Sequence, residues 1–171
     1  MDECFVEGRY NAMSEIITLK GIIDEDFVNY KVPSMTLMFP YCSFKCGDDL
    51  CQNASLINNK KINISVQSIY IRYINNPISR AIVLQGLEPF DSWKDVNNLL
   101  FYFRIHASCF DDIVIYTGYN KDEILDKVNY IKKMYSNIII KYGRYIPDQK
   151  PHYDEILGVK LASDNQYAER I

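Results

Sequence analysis

Four short segments constrain the fold more than anything else in the chain. They are SMTLMFPYC (34–42), RAIVLQG (80–86), DIVIYTG (112–118) and NIIIKYG (137–143). Each is a run of aliphatic and β-branched residues that stops at a glycine or a cysteine. Such runs lack the alternation of a half-exposed strand and read as strands buried on both faces, as in parallel sheets. Three helical patterns lie between them. SVQSIYIRYINN (65–76) puts Val66, Ile69, Tyr70 and Tyr73 on one face. SWKDVNNLLFYFRI (92–105) aligns Val96, Leu99, Leu100 and Phe103, with Ser92 or Asp91 as its N-cap. KDEILDKVNYIKKM (121–134) aligns Ile124, Val128 and Ile131, with acids early and lysines late, as the helix dipole prefers. This alternation predicts an α/β fold with a mainly parallel sheet and right-handed crossovers. At 171 residues the chain is too short for a complete eight-fold barrel. The expectation is a partial, open βα barrel of mainly parallel strands in one domain, 1–171. ITLKGI near residue 18 is expected to add an edge strand, and Tyr167 to Ile171 to be an ordinary chain end.

Charge and hydropathy exclude several classes. The net charge is -3 with no basic cluster, so nucleic acid is not an expected partner. No apolar run approaches the roughly 18 residues of a membrane span. The N-terminal MDECFVEGRYN has no apolar signal core, so a cytoplasmic protein is expected. In that compartment five cysteines are better read as ligands, redox groups or packing residues than as disulfides. Cys109, before a strand, reads as a packing residue, and Cys4, near the chain end, as a bystander.

Ligands of βα architectures sit at the carboxyl ends of the strands. The loops leaving those ends are Cys42–Cys51, Gly86-Leu87-Glu88-Pro89, Thr117-Gly118-Tyr119 and Gly143-Arg144. They should meet at one mouth. The first loop holds three thiols, Cys42-x3-Cys46-x4-Cys51. Three readings stand: loop cysteines without a ligand, zinc, or an iron–sulfur cluster. A structural zinc site wants four closed ligands, and the only histidines, His106 and His152, lie at no zinc-like spacing. Iron–sulfur chemistry fits better, because three thiolates on a four-iron cluster leave one iron open to a further ligand.

Longer stretches carry a family resemblance. DEDFVNYKVPSMTLMFPYCSFKC (24–46), CQN (51–53), LQGLEPF (84–90), IYTGY (115–119), KYGRYI (141–146) and GVKLASDNQ (158–166) together resemble the radical S-adenosylmethionine enzymes. Within them they resemble the small activating enzymes of anaerobic (class III) ribonucleoside-triphosphate reductase. The resemblance implies that Cys42, Cys46 and Cys51 hold three irons of a [4Fe-4S] cluster whose fourth iron binds S-adenosylmethionine. It implies reductive cleavage to methionine and a 5′-deoxyadenosyl radical, which takes a hydrogen atom from a glycine of a large partner protein. A low-potential electron donor such as flavodoxin or ferredoxin is the implied second partner.

The cofactor-binding residues carried over are Asn53, Gly86, Leu87, Glu88, Thr117 and Gly118. Glu88 and the Gly86 backbone would receive the methionine ammonium, and Thr117-Gly118 would face the adenosine. Ser163, Asn165 and Gln166 match the family's closing segment without an assigned role. Arg144 reads equally as a solvated loop residue and as an anion clamp. Three departures stand out: the second cysteine gap holds four residues (GDDL) where the family has two, Leu87 replaces a glycine, and Gln52 replaces a histidine. The alternatives are a divergent radical enzyme acting on another protein, a peptide or a small molecule, and a non-catalytic iron–sulfur module with Leu87 as the mark of lost catalysis.

Overall fold

The computed structural model describes residues 15–45, 47 and 51–171. Strands β1 (Ile16–Leu19) and β2 (Gly21–Asp26) lead into β3 (Ser34–Phe39). β4 (Ile62–Ser65) passes directly into helix α1 (Val66–Ile74), followed by β5 (Ala81–Gly86), α2 (Trp93–Phe101) and β6 (Ile113–Tyr116). α3 (Leu125–Met134), β7 (Ile138–Tyr142), β8 (His152–Asp154), β9 (Val159–Leu161) and β10 (Tyr167–Arg170) complete the chain. The central sheet has the order β10-β7-β6-β5-β3-β2. Its four middle strands are parallel, and both edges, β2 and β10, are antiparallel. This is a mixed α/β fold with a mainly parallel sheet, and the four apolar runs are its four parallel strands.

Strand parity explains why those runs are apolar throughout. Leu37, Phe39, Ile82, Leu84, Ile113, Ile115, Ile138 and Ile140 pack with Val66, Ile69, Leu99, Leu100, Val128 and Ile131. All three helices therefore cover the same face. On the other face Ala81, Val83, Val114 and Ile139 pack with Tyr30, Leu157, Leu161 and Ala168. These come from the loop after β2, the β8–β9 hairpin and β10. Burial on both faces removes any reason for polar alternation.

Several sequence expectations are corrected. ITLKGI is two strands: β1 pairs with β4 in a separate ribbon, and β2 forms the sheet edge. The 65–76 helix begins one residue later, with Ser65 capping α1 by accepting from Ser68 N (3.1 Å). Neither Ser92 nor Asp91 caps its helix. Glu88 instead accepts from Phe90 N (3.1 Å), starting a 3-10 turn at Pro89–Ser92 that feeds α2. After Phe101 the helix widens into a π-turn, Tyr102–His106. That turn carries Arg104 inward to the carbonyls of Ser136, Cys109, Asp111 and Asn137. The last residues are a sheet strand: Tyr167↔Tyr142 to Arg170↔Ile139 pair with β7, and Arg170 grips Asp112 with two hydrogen bonds. No described helix is long and apolar enough to cross a membrane.

Candidate functional site

The carboxyl ends of the four parallel strands do meet at one mouth. β5 ends at Gly86, whose φ is +111° and whose Cβ, if present, would lie 2.5 Å from Phe39 N on β3. Only glycine lets the chain turn there against the neighbouring backbone. The turn places Leu87 N on Phe39 O (3.1 Å) and Glu88 N on Tyr41 O (2.8 Å). Glu88 thus comes to rest beneath the loop that starts at Cys42.

Glu88 ties strand ends together. Its Oε1 accepts from Thr117 Oγ1 (2.8 Å) and Phe90 N, and its Oε2 accepts from Gly118 N (2.9 Å). It is only 4% exposed. Burial pushes its carboxyl up to about 7, although three donors face it and favour the charged form. Thr117 Oγ1 in turn accepts from Tyr119 N (3.0 Å).

A second carboxylate anchors the cysteine loop. Asp91 accepts from Ser43 N (2.6 Å) and from Tyr119 OH (2.7 Å), and Ser43 Oγ lies 3.0 Å from the same hydroxyl. Phe44, held at φ +51°, donates its N–H to Cys42 Sγ at 3.2 Å. Beyond the third cysteine, Asn53 sits at the N-cap position of a 3-10 turn but does not cap it; its Nδ2 reaches Gly86 O at 2.8 Å. Both flanks of the loop are therefore fastened to the β5 turn. Lys45 and Arg144 stand over the Tyr119 ring at 4.7 and 5.5 Å, and both pair with Glu123. The Arg144 guanidinium holds the Glu123 carboxyl down to about 2.

Two adjoining cavities result. The smaller, about 60 Å³, is lined by Cys42 and Cys51 together with Leu87, Glu88, Gly118 and Tyr119. The larger, about 310 Å³, has Cys51, Asn53, Gly86, Leu87, Thr117 and Gly118 on its wall. Cys51, Leu87, Gly118 and Arg144 belong to both. Cys42 and Cys51 are half-buried cysteines outside any disulfide on one small cavity, and Cys42 accepts a backbone N–H. That donor chemistry fits thiolate ligation of a metal cluster. Cys46 lies outside the described residues, as does Cys4. No group of three His, Cys, Asp or Glu side chains forms a metal site among the described residues.

Comparison with family models adds the decisive observation. A model described as a 4Fe-4S single cluster domain matches residues 33–166, most of the chain. The chain belongs to that family. An iron–sulfur cluster of the four-iron type is the cofactor this membership indicates. No curated protein and no solved structure matches the chain.

Gln166 and Asn165 of the closing segment stitch the end of β7. Gln166 accepts from Ala162 N and Ser163 N and donates to Gly143 O, while Asn165 donates to Arg144 O. Cys109 packs against the core, half-buried, far from this mouth in the topology. The sequence offered Asp91 only as a helix cap and Tyr119 only as part of a loop at the mouth, and it gave no role to Gln85, Tyr116 or Lys141. Lys141 had a signal of its own: a lysine inside an otherwise buried strand, III-K-Y-G.

Proposed function

We propose that the chain is a radical S-adenosylmethionine enzyme of the small activating type, whose target is a glycine of an anaerobic ribonucleotide reductase large subunit. The supporting observation is the adjoining pair of cavities, which share Cys51, Leu87, Gly118 and Arg144. A cluster on the smaller side would be open to a ligand on the larger. Cys42, Cys46 and Cys51 would hold the cluster. When bound, the cluster and S-adenosylmethionine would supply one-electron reductive cleavage of the sulfonium, with a low-potential donor providing the electron. Parallel strands with every helix on one face support reading the sheet as part of an open βα barrel.

The chain's own residues have definable tasks. Asp91 and Tyr119 fix the start of the cysteine loop, so that Cys42 is positioned before any metal arrives. Gly86 permits the close turn, and Asn53 holds its carbonyl from the far side of the loop. Glu88 locks Thr117 and Gly118 into the wall shared with the larger cavity. Leu87 lies on the wall of both cavities.

The test is electron paramagnetic resonance of anaerobically reconstituted, dithionite-reduced protein with and without S-adenosylmethionine, with 5′-deoxyadenosine assayed in the same sample. A reduced four-iron signal that changes on adding S-adenosylmethionine, with product formed, is the expected result. A signal indifferent to it, with no product, leaves a cluster-binding module and overturns the enzymatic reading.

A further inference from the structure

The floor of the larger cavity is a row of side chains across the sheet. Gln85 on β5, Tyr116 on β6 and Lys141 on β7 occupy matching positions at the carboxyl ends of their strands. Tyr116 is directly paired with Lys141, and Gln85 lies one step beyond the Leu84↔Ile115 pair. All three line the cavity. Two residues deeper, the corresponding row is Val83, Val114 and Ile139. A polar row thus rests on an apolar one.

Lys141 is the anomaly in that row. It is 7% exposed. Its ammonium donates to Gly143 O (2.9 Å) and stands 5.9 Å from the Tyr116 ring centroid. No carboxylate pairs with it among the described residues. Glu88 acts on it only through space, and burial lowers its amine to about 8. A buried cation without a counter-charge is costly, and such a group on the wall of a cleft is a candidate for ligand contact. An ammonium has three N–H groups and one hydrogen bond is made here, so two donors are left for that ligand.

We propose that Lys141 binds a carboxylate on the molecule seated in the larger cavity. Charge counting selects a carboxylate over a phosphate. Of the two other cations that line the cavity, Arg144 is tied to Glu123 by two hydrogen bonds and Lys160 is exposed to solvent. One buried point charge matches one negative charge; a phosphate dianion needs more donors than the floor offers. Tyr116 cannot add its hydroxyl without releasing Asn29 O, which it holds at 2.6 Å. This deepens the reading above by naming a chemical feature of the molecule bound there. Its test uses iron-free protein, so either reading can fail alone.

The experiment measures the melting temperature of the iron-free chain in N-acetylglycine, inorganic phosphate and chloride at equal ionic strength. N-acetylglycine at several times its dissociation constant should raise Tm by about 2–4 °C over chloride, with phosphate doing less. Lys141→Met should abolish that rise and, in chloride, melt no lower than the wild type. A lower-melting variant that still responds to N-acetylglycine overturns the proposal, as does a response to phosphate alone. Should Lys141→Met not fold, mass-spectrometric lysine footprinting of the wild type decides. N-acetylglycine should slow modification of Lys141 at least threefold and leave Lys160 unchanged; equal rates at both refute it. S-adenosylmethionine and its decarboxylated analogue identify the source of the group. If Lys141→Met and decarboxylation weaken binding equally, the carboxylate is the methionine's; if S-adenosylmethionine binding is unaffected, it is the substrate's.

Discussion

Replacing Glu88 by Gln separates two things the carboxyl does at once. Its oxygens accept from Thr117 Oγ1, Phe90 N and Gly118 N, which ties β5 to β6 at the mouth. It also carries an ionisable group in a site that is 4% exposed, where burial disfavours the charged form. The amide can keep its oxygen toward Thr117 and Phe90. Its NH2 then faces Gly118 N–H across 2.9 Å, leaving that donor without an acceptor, a loss of about 1–3 kcal/mol.

The charge works in the opposite direction. Burial raises the carboxyl from its usual 4.5 to about 7. A carboxyl raised in the folded state contributes stability that is present below its unfolded value and is lost as pH rises through its folded value. Between pH 5 and pH 8 the wild type should therefore lose about 2–3 kcal/mol through this one group. The Gln variant lacks that loss. It should be less stable than the wild type by about 1–3 kcal/mol at pH 5 and close to it at pH 8. Urea unfolding of the iron-free proteins reads this through Trp93, the single tryptophan, which stacks on Phe90 beside the site. Asp91 and Lys141 also face Glu88 through space, but they are present in both proteins. An identical stability difference at the two pH values would refute the assignment of a buried, raised carboxyl.

Four further outcomes follow from the same geometry. Single changes of Cys42, Cys46 or Cys51 to Ala should abolish a four-iron cluster, whereas Cys4→Ala and Cys109→Ala should leave iron and sulfide content unchanged; equal loss from all five would sink the cluster assignment. Gly86→Ala should cost about 2–5 kcal/mol in urea unfolding, because a methyl at φ +111° meets the Phe39 backbone. Asp91→Asn should keep the cluster yet speed iron loss to a chelator about five- to ten-fold, since one of the two anchors of the loop is released. Arg104→Met should destabilise by about 3–5 kcal/mol without altering iron content, because four carbonyls at the opposite end of the strands lose the guanidinium and, among the described residues, only that of Asn137 keeps another donor, Ile113 N.

The parallel strands were legible because burial on both faces writes an uninterrupted apolar run, and the crossover helices because each shows one packed face. β4 was hidden: Ile62 to Ser65 alternates too weakly and runs straight into α1, so its Asn63 and Ser65 look like a helix start. β10 was hidden for another reason. Tyr167, Ala168, Glu169 and Arg170 carry little apolar pattern, and what holds them is the open edge of β7 and the Arg170–Asp112 pair, neither visible locally. The π-turn followed the same logic, since the 3.6-residue pattern through Phe103 gives no warning that Arg104 must turn inward.

The site divides along similar lines. Glycine and cysteine mark their positions because their roles are local: a positive φ at Gly86, a thiol at Cys42. Asp91, Tyr119 and Lys141 act across 28 to 76 residues or through a register between strands, so their spacing along the chain has no meaning until the sheet exists. Thr117 and Gly118 were legible as a motif, but the reason they sit where they do is Glu88, which is 29 and 30 residues away. The residues that sequence motifs select are thus held by residues that motifs do not select. It follows that a departure such as Leu87 cannot be judged from its own loop. Leu87 lines both cavities, and the wall around it is held by Glu88, Asp91 and Asn53, each bonded to a residue distant in the chain.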